Sequence, residues 1–159
     1  MIIRKGTEAD LEAVHALVRE LALFEKAPEE VITSPEEYAR DGFGERSFFE
    51  FFVAEDTKDG VVGIAFFYFG YSTWKGKILY LDDLVITENW RRKGIGGLLL
   101  DRLVHFAKEH RAKQVRWQVL DWNEPAIKMY RKVGANLDEE WINCKLEQAD
   151  IDRWTTSSL

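Results

Sequence analysis

The chain has 159 residues, 46% of them hydrophobic and 31% charged, with a formal net charge of −6. That size and balance fit a single globular domain with a real core and exclude a disordered chain. The acidic surplus argues against a nucleic-acid partner, and no apolar run approaches the ~20 residues of a membrane span, so no membrane partner is expected.

Cys144 is the only cysteine, so no intrachain disulfide can form. It has no metal-ligand spacing with His15, His105 or His110, and no metal is expected. Residues 1–5 turn polar at once and lack a signal-peptide core, which makes a reducing cytoplasm the expected location. Six tryptophans suggest a core or interface built on large flat side chains.

In chain order, residues 2–4 read as a short strand. Thr7, with Asp10 three residues on, reads as a helix cap. Leu11, Val14, Leu17, Val18 and Leu21 then recur at helical spacing. A second helix opens at Ser34-Pro35-Glu36-Glu37, a cap followed by a first-turn proline, and stops near Asp41-Gly42. Three strands follow, over 49–55, 61–71 and 77–86. Turn signals at Asp59-Gly60 and Lys75-Gly76 make them an antiparallel meander.

Residues 94–110 read as a helix with Leu98, Leu99, Leu103 and Phe106 inward. A strand over 114–120 comes next, then a helix over 125–133 stopped by Gly134. A last strand is expected over 141–146. The whole is an α/β fold, helices flanking a mixed, mostly antiparallel sheet, in one domain over 1–154 with a short tail over 155–159.

The most informative stretch runs from Asp82-Asp83-Leu84-Val85-Ile86 into Arg91-Arg92-Lys93-Gly94-Ile95-Gly96-Gly97. A strand enters a cationic, glycine-rich turn, and the turn enters a helix. Unpaired N–H groups and a partial positive charge at a helix start suit a pyrophosphate, and glycines let the backbone approach it. No Gly-Lys-Ser/Thr triplet is present for a Walker loop. The dinucleotide fingerprint fails because Leu99 holds its last glycine position. Arg91-Arg92-Lys93-Gly94-Ile95-Gly96 fits Arg/Gln-x-x-Gly-x-Gly/Ala instead. The plain alternative is a glycine-rich helix entry with solvated basic residues.

That hexapeptide resembles the pyrophosphate loop of the GNAT acetyltransferases. A second motif, Asn123-Glu124-Pro125-Ala126 leading to Tyr130 and Gly134-Ala135, resembles that superfamily's other hallmark. Within it the chain looks like a diamine acetyltransferase of the spermidine/spermine and thialysine branch. The matching pieces are Glu20-Leu21-Ala22, Phe24-Glu25, Asp41-Gly42-Phe43-Gly44, Trp74, Tyr80-Leu81-Asp82-Asp83 and Trp122-Asn123-Glu124-Pro125. One departure is Ser72-Thr73, where the polyamine enzymes carry an acidic residue.

The resemblance implies acetyl-CoA as cosubstrate and acetyl transfer to a primary amine of a small cationic molecule by direct attack. It implies cofactor contacts from Leu84, Val85, Ile86, Arg91, Arg92, Lys93, Gly94, Ile95, Gly96, Gly97, Asn123, Ala126 and Tyr130. It puts the amine against Phe24, Glu25, Trp74, Asp82 and Asp83 in a homodimer; Glu25 or Asp82 would hold the cation and pass its proton on, and Tyr130 would protonate the leaving thiolate. Adjacent strand residues point to opposite faces, so at most one of Asp82 and Asp83 is expected to face the amine. Other acceptors (an amino acid, an aminoglycoside, a protein N-terminus) or a non-catalytic CoA-binding module are the alternatives.

Overall fold

The computed structural model describes residues 1–155. They divide into two compact units, Met1–Gln118 and a second that begins at Val119.

The first unit is built on a five-stranded sheet in the order β1 (Ile2–Lys5), β2 (Glu50–Asp56), β3 (Gly60–Ser72), β4 (Gly76–Ile86) and β5 (Gln114–Arg116). Neighbouring strands run antiparallel except β4 and β5, which are parallel. Gly60 and Gly76 make the two meander turns at φ 72° and 90°, values that a glycine adopts without the steric cost of a Cβ.

The helices of this unit are α1 (Leu11–Phe24), α2 (Pro35–Phe43) and α3 (Ile95–Glu109). Alternation in β2 sends Phe51 and Val53 to one face, where they join Leu11, Val14 and Leu17 of α1 with Ile64, Phe66 and Val85. Phe52 and Phe67 take the other face, against Phe106 of α3 at ring distances of 5.4 and 5.3 Å. Both faces are covered, so β2 is apolar throughout its middle rather than alternating.

The caps behave as the residue types dictate. Ser34 and Glu37 exchange hydrogen bonds between side chain and backbone at the start of α2. Thr7 caps a short 3-10 turn that leads into α1, rather than α1 itself. Its N–H and hydroxyl both donate to Asp10. The Arg4 guanidinium grips the same carboxylate at 2.7 and 2.8 Å and holds it at a pKa of about 2.

The second unit holds α4 (Glu124–Lys132) and α5 (Gln148–Asp152). Gly134, at φ 81°, closes α4: its N–H donates to Arg131 O and that of Ala135 to Tyr130 O, the paired bonds of a left-handed helix end.

Two expectations fail here. The strand expected over 114–120 ends at Arg116, and no strand forms over 141–146. Trp141, Ile142 and Leu146 are exposed, and nothing among the described residues hydrogen-bonds them into a ladder. Alternation describes a strand's own faces but supplies no neighbour for its edge. Helix α5 was not foreseen; residues 156–159, most of the expected tail, lie outside the described residues.

Candidate active site

Strand β4 carries five of the candidate residues, Asp82 to Ile86, and its register explains their placement. Phe66 of β3 pairs with Asp83 and Phe67 pairs with Leu81, which leaves Asp82 as the extra residue of a β-bulge. The bulge breaks strict alternation. Both Asp82 and Asp83 therefore line one cavity of about 290 Å³, and the expectation that the pair splits between opposite faces is corrected.

The other walls come from residues that motif reading did not assign. Thr33, Glu37 and Tyr38 supply one side, and Phe48, Phe49 and Phe66 another. The rings interlock: Phe49 lies 4.3 Å from Phe66, and Tyr38 meets Phe49 edge-on at 5.8 Å. The signal for these residues was the apolar side of α2 and the Phe48-Phe49 pair, but their convergence on Asp83 depends on tertiary packing. A larger hollow of about 380 Å³ lies beside Gly6, Phe43 and Phe51. The carboxylate at its rim, Glu50, is already paired with Lys5.

Burial pushes the Asp83 carboxyl up to about 7, and the negative charges of Asp82 and Glu25 add to the effect. Asp82 is exposed by area, yet the protein on its inner side raises its pKa too. Glu25, the residue that ends α1, is exposed and raised for the same reason. Phe24 is part-exposed beside it, and Trp74 stands 86% exposed in the β3–β4 turn. The cavity at Asp82 and Asp83 is thus walled by α2 and Phe48-Phe49, not by Phe24 or Trp74.

Beyond the bulge, β4 has no second strand neighbour among the described residues. Strand β5 pairs with β4 from Ile78 to Tyr80 only, while Leu84, Val85 and Ile86 keep β3 partners on the other side. The backbone of this segment faces an open edge. It leads through a 3-10 turn to the glycine loop, where Arg92 takes a left-handed φ of 62° and Gly94 one of 83°. Gly94 is the N-cap of α3, and a Cβ at Gly94 or Gly97 would meet nothing within 4 Å. The start of a 15-residue helix thus presents bare backbone donors to open space, a fit for a pyrophosphate. Ile95 is buried and anchors the loop, and the Lys93 ammonium lies 4.2 Å from the Trp90 ring.

Arg91 is placed differently from its neighbours. Its Nε donates to Ile86 O and its Nη2 to Glu20, each at 2.9 Å. Its guanidinium is engaged by the end of β4 and by α1.

In the second unit, the Asn123 side chain accepts from Ala126 N at 3.4 Å and caps α4. Tyr130 is buried on that helix, and burial pushes its hydroxyl up to about 12.

Residues 14–135 match the model of the acetyltransferase (GNAT) family. The chain belongs to the GNAT acetyltransferase family. As an acetyltransferase it is an acyl-transferring enzyme, and its relatives agree. It is 38% identical to a thialysine N-epsilon-acetyltransferase of Bos taurus, over 85% of this chain and 84% of that one. It is 31% identical to the spermidine/spermine N(1)-acetyltransferase-like protein 1 of Homo sapiens, over 87% of this chain and 21% of that protein. The fold matches a crystal structure of an aminoglycoside acetyltransferase from an uncultured soil metagenomic sample, with a TM-score of 0.75 at 22% identity, covering 92% and 95% of the two chains.

Proposed function

We propose that this acetyltransferase uses acetyl-CoA to acetylate a primary amine of a small cationic molecule, by direct attack without an acyl-enzyme. One observation carries the reading: a single strand joins a bulged carboxylate pair, an open backbone edge and a glycine loop at a helix start, in that order. The names of the relatives point to lysine analogues and polyamines as the acceptor class.

Acetyl-CoA supplies the acyl group as a thioester. The N–H groups at the start of α3, with Arg92 and Lys93, hold its pyrophosphate. The open edge at Leu84, Val85 and Ile86 offers backbone N–H groups to the pantetheine arm and to the thioester oxygen as charge develops there. Asn123 and Ala126 complete the cofactor contacts by resemblance.

An alkylamine has a pKa near ~10, so it arrives protonated. Asp82 and Glu25 favour that cation, with Phe24 and Trp74 as its apolar contacts. An ammonium beside Asp83 draws the Asp83 pKa below its unliganded value of about 7, so the carboxylate is ionised in the complex and can accept the proton. Tyr130 holds its proton more tightly than a thiol with pKa near ~8.5. It therefore serves the leaving sulfur as a hydrogen-bond donor more than as a full acid. A homodimer and a cytoplasmic setting belong to the same proposal; no described helix is long and apolar enough to cross a membrane.

The test is thiol release from acetyl-CoA against putrescine, spermidine, thialysine, lysine and an N-terminal peptide. Turnover with a small cationic amine, rising with pH, is expected. Tight acetyl-CoA binding without release on any of the panel would overturn the acceptor class.

A further inference from the structure

Glu20 lies on α1, away from the cavity, yet both its oxygens are taken by the segment that enters the glycine loop. One accepts from Thr87 Oγ1 at 2.8 Å. The other accepts from Glu88 N and from Arg91 Nη2, both at 2.9 Å. Arg91 in turn reaches back to Ile86 O at 2.9 Å, and its guanidinium lies 5.2 Å from the centre of the Phe24 ring. Glu20 and Phe24 are four positions apart on α1, about one helical turn, so both sit on the same side of the helix.

The two ends of this bridge carry different duties. Phe24 and Glu25 end α1, followed by Lys26 in a left-handed conformation at φ 62°. The N–H groups of Glu25, Lys26 and Ala27 close the helix onto Leu21, Leu23 and Ala22. Arg92 and Gly94, both left-handed, follow Arg91 directly and form the loop. Ordering the loop on an anion therefore fixes Arg91, and Arg91 with Glu20 fixes the end of α1.

Resting on the function proposed above, we infer that Glu20 is a positioning residue that couples the glycine loop to the acceptor end of α1 through Arg91, so that coenzyme A binding orders Phe24 and Glu25. The link is charge-assisted and directional at both ends, which suits a coupling between two sites better than a single contact would.

Hydrogen exchange with coenzyme A as the only ligand tests it without turnover, with binding followed by calorimetry. In the native protein, saturating coenzyme A should slow exchange of the Glu25, Lys26 and Ala27 amides about fivefold or more. In Glu20→Gln the same amides should exchange faster without ligand and gain no slowing at saturation. Arg91→Gln breaks the bridge from the loop side and should behave alike, which keeps the test open should Glu20→Gln fold poorly. Slowing that persists in the variants overturns the coupling, as does its absence in the native protein. A variant that loses coenzyme A binding while exchange at these amides stays unchanged overturns it too. No coenzyme A binding by the native protein would instead overturn the acetyltransferase reading of the loop.

Discussion

The two halves of β4 belong to one continuous strand and differ in everything that matters for chemistry. From Ile78 to Tyr80 the strand is paired on both edges, and Leu79 has no exposed surface. From Asp82 to Ile86 it is bulged, carries two carboxylates with raised pKa values, and among the described residues is paired on one edge only. The first half shows what holds the sheet together. The second shows where it gives up pairing to leave backbone and carboxylates available to small molecules, a cost that a strand bears at a working site and seldom elsewhere.

The sharpest way to break the comparison is a cavity in the first half. Leu79→Ala should lower stability by about 2–5 kcal/mol, read by chemical denaturation, while activity per folded molecule stays close to native. A comparable activity loss would mean the halves are not separable.

Asp83→Asn should do the reverse. Turnover of cationic amines should fall by ~100-fold in kcat/KM. Stability should move the other way, and the sign follows from linkage. The folded-state pKa of about 7 lies above the unfolded value of ~3.9, so the folded chain keeps a proton that the unfolded chain releases. Native stability at this site is therefore lost as pH rises from about 4 to 7 and is level above. Asp83→Asn should match the native protein near pH 3.5 and exceed it at pH 8, in paired denaturation curves. A variant less stable at pH 8 would show that Asp83 holds the fold together.

Gly94→Ala probes the loop beyond the second half. A Cβ has room there, so only the left-handed backbone opposes it, at about 1 kcal/mol. Acetyl-CoA KM should rise while amine KM moves only through the Glu20–Arg91 bridge. The smallest effect is expected for Trp74→Ala in the turn that precedes β4. With the ring 86% exposed, stability should stay within about 0.5 kcal/mol of native. A raised KM for the amine would give Trp74 a place in acceptor binding, and an unchanged KM would remove it.

Local chemistry was legible where it is self-contained. Ser34-Pro35 with Glu37 announces a capped helix, Asp59-Gly60 and Lys75-Gly76 announce turns, and Gly134 ends α4, because each depends on residues a few positions apart. The glycine loop was legible for the same reason. The family match over residues 14–135 agrees with the fold and activity that these motifs implied.

Tertiary structure decided what depends on distant partners. Residues 141–146 alternate as a strand should, but a strand also needs a neighbour to form a ladder with, and none is assigned there. Asp82 and Asp83 reach one cavity only because β3 imposes a register in which Asp82 has no partner. The Asp83 pKa near 7 comes from protein packed around it and from Glu25, 58 positions away in the chain. Arg91 reads as a phosphate ligand in its hexapeptide, yet it is drawn to Glu20 because α1 happens to pass beside the loop. Residue types and spacing set which local motifs can form; which edges pair and which charges meet is set by what the rest of the chain brings alongside, since pairing and desolvation are properties of neighbours in space.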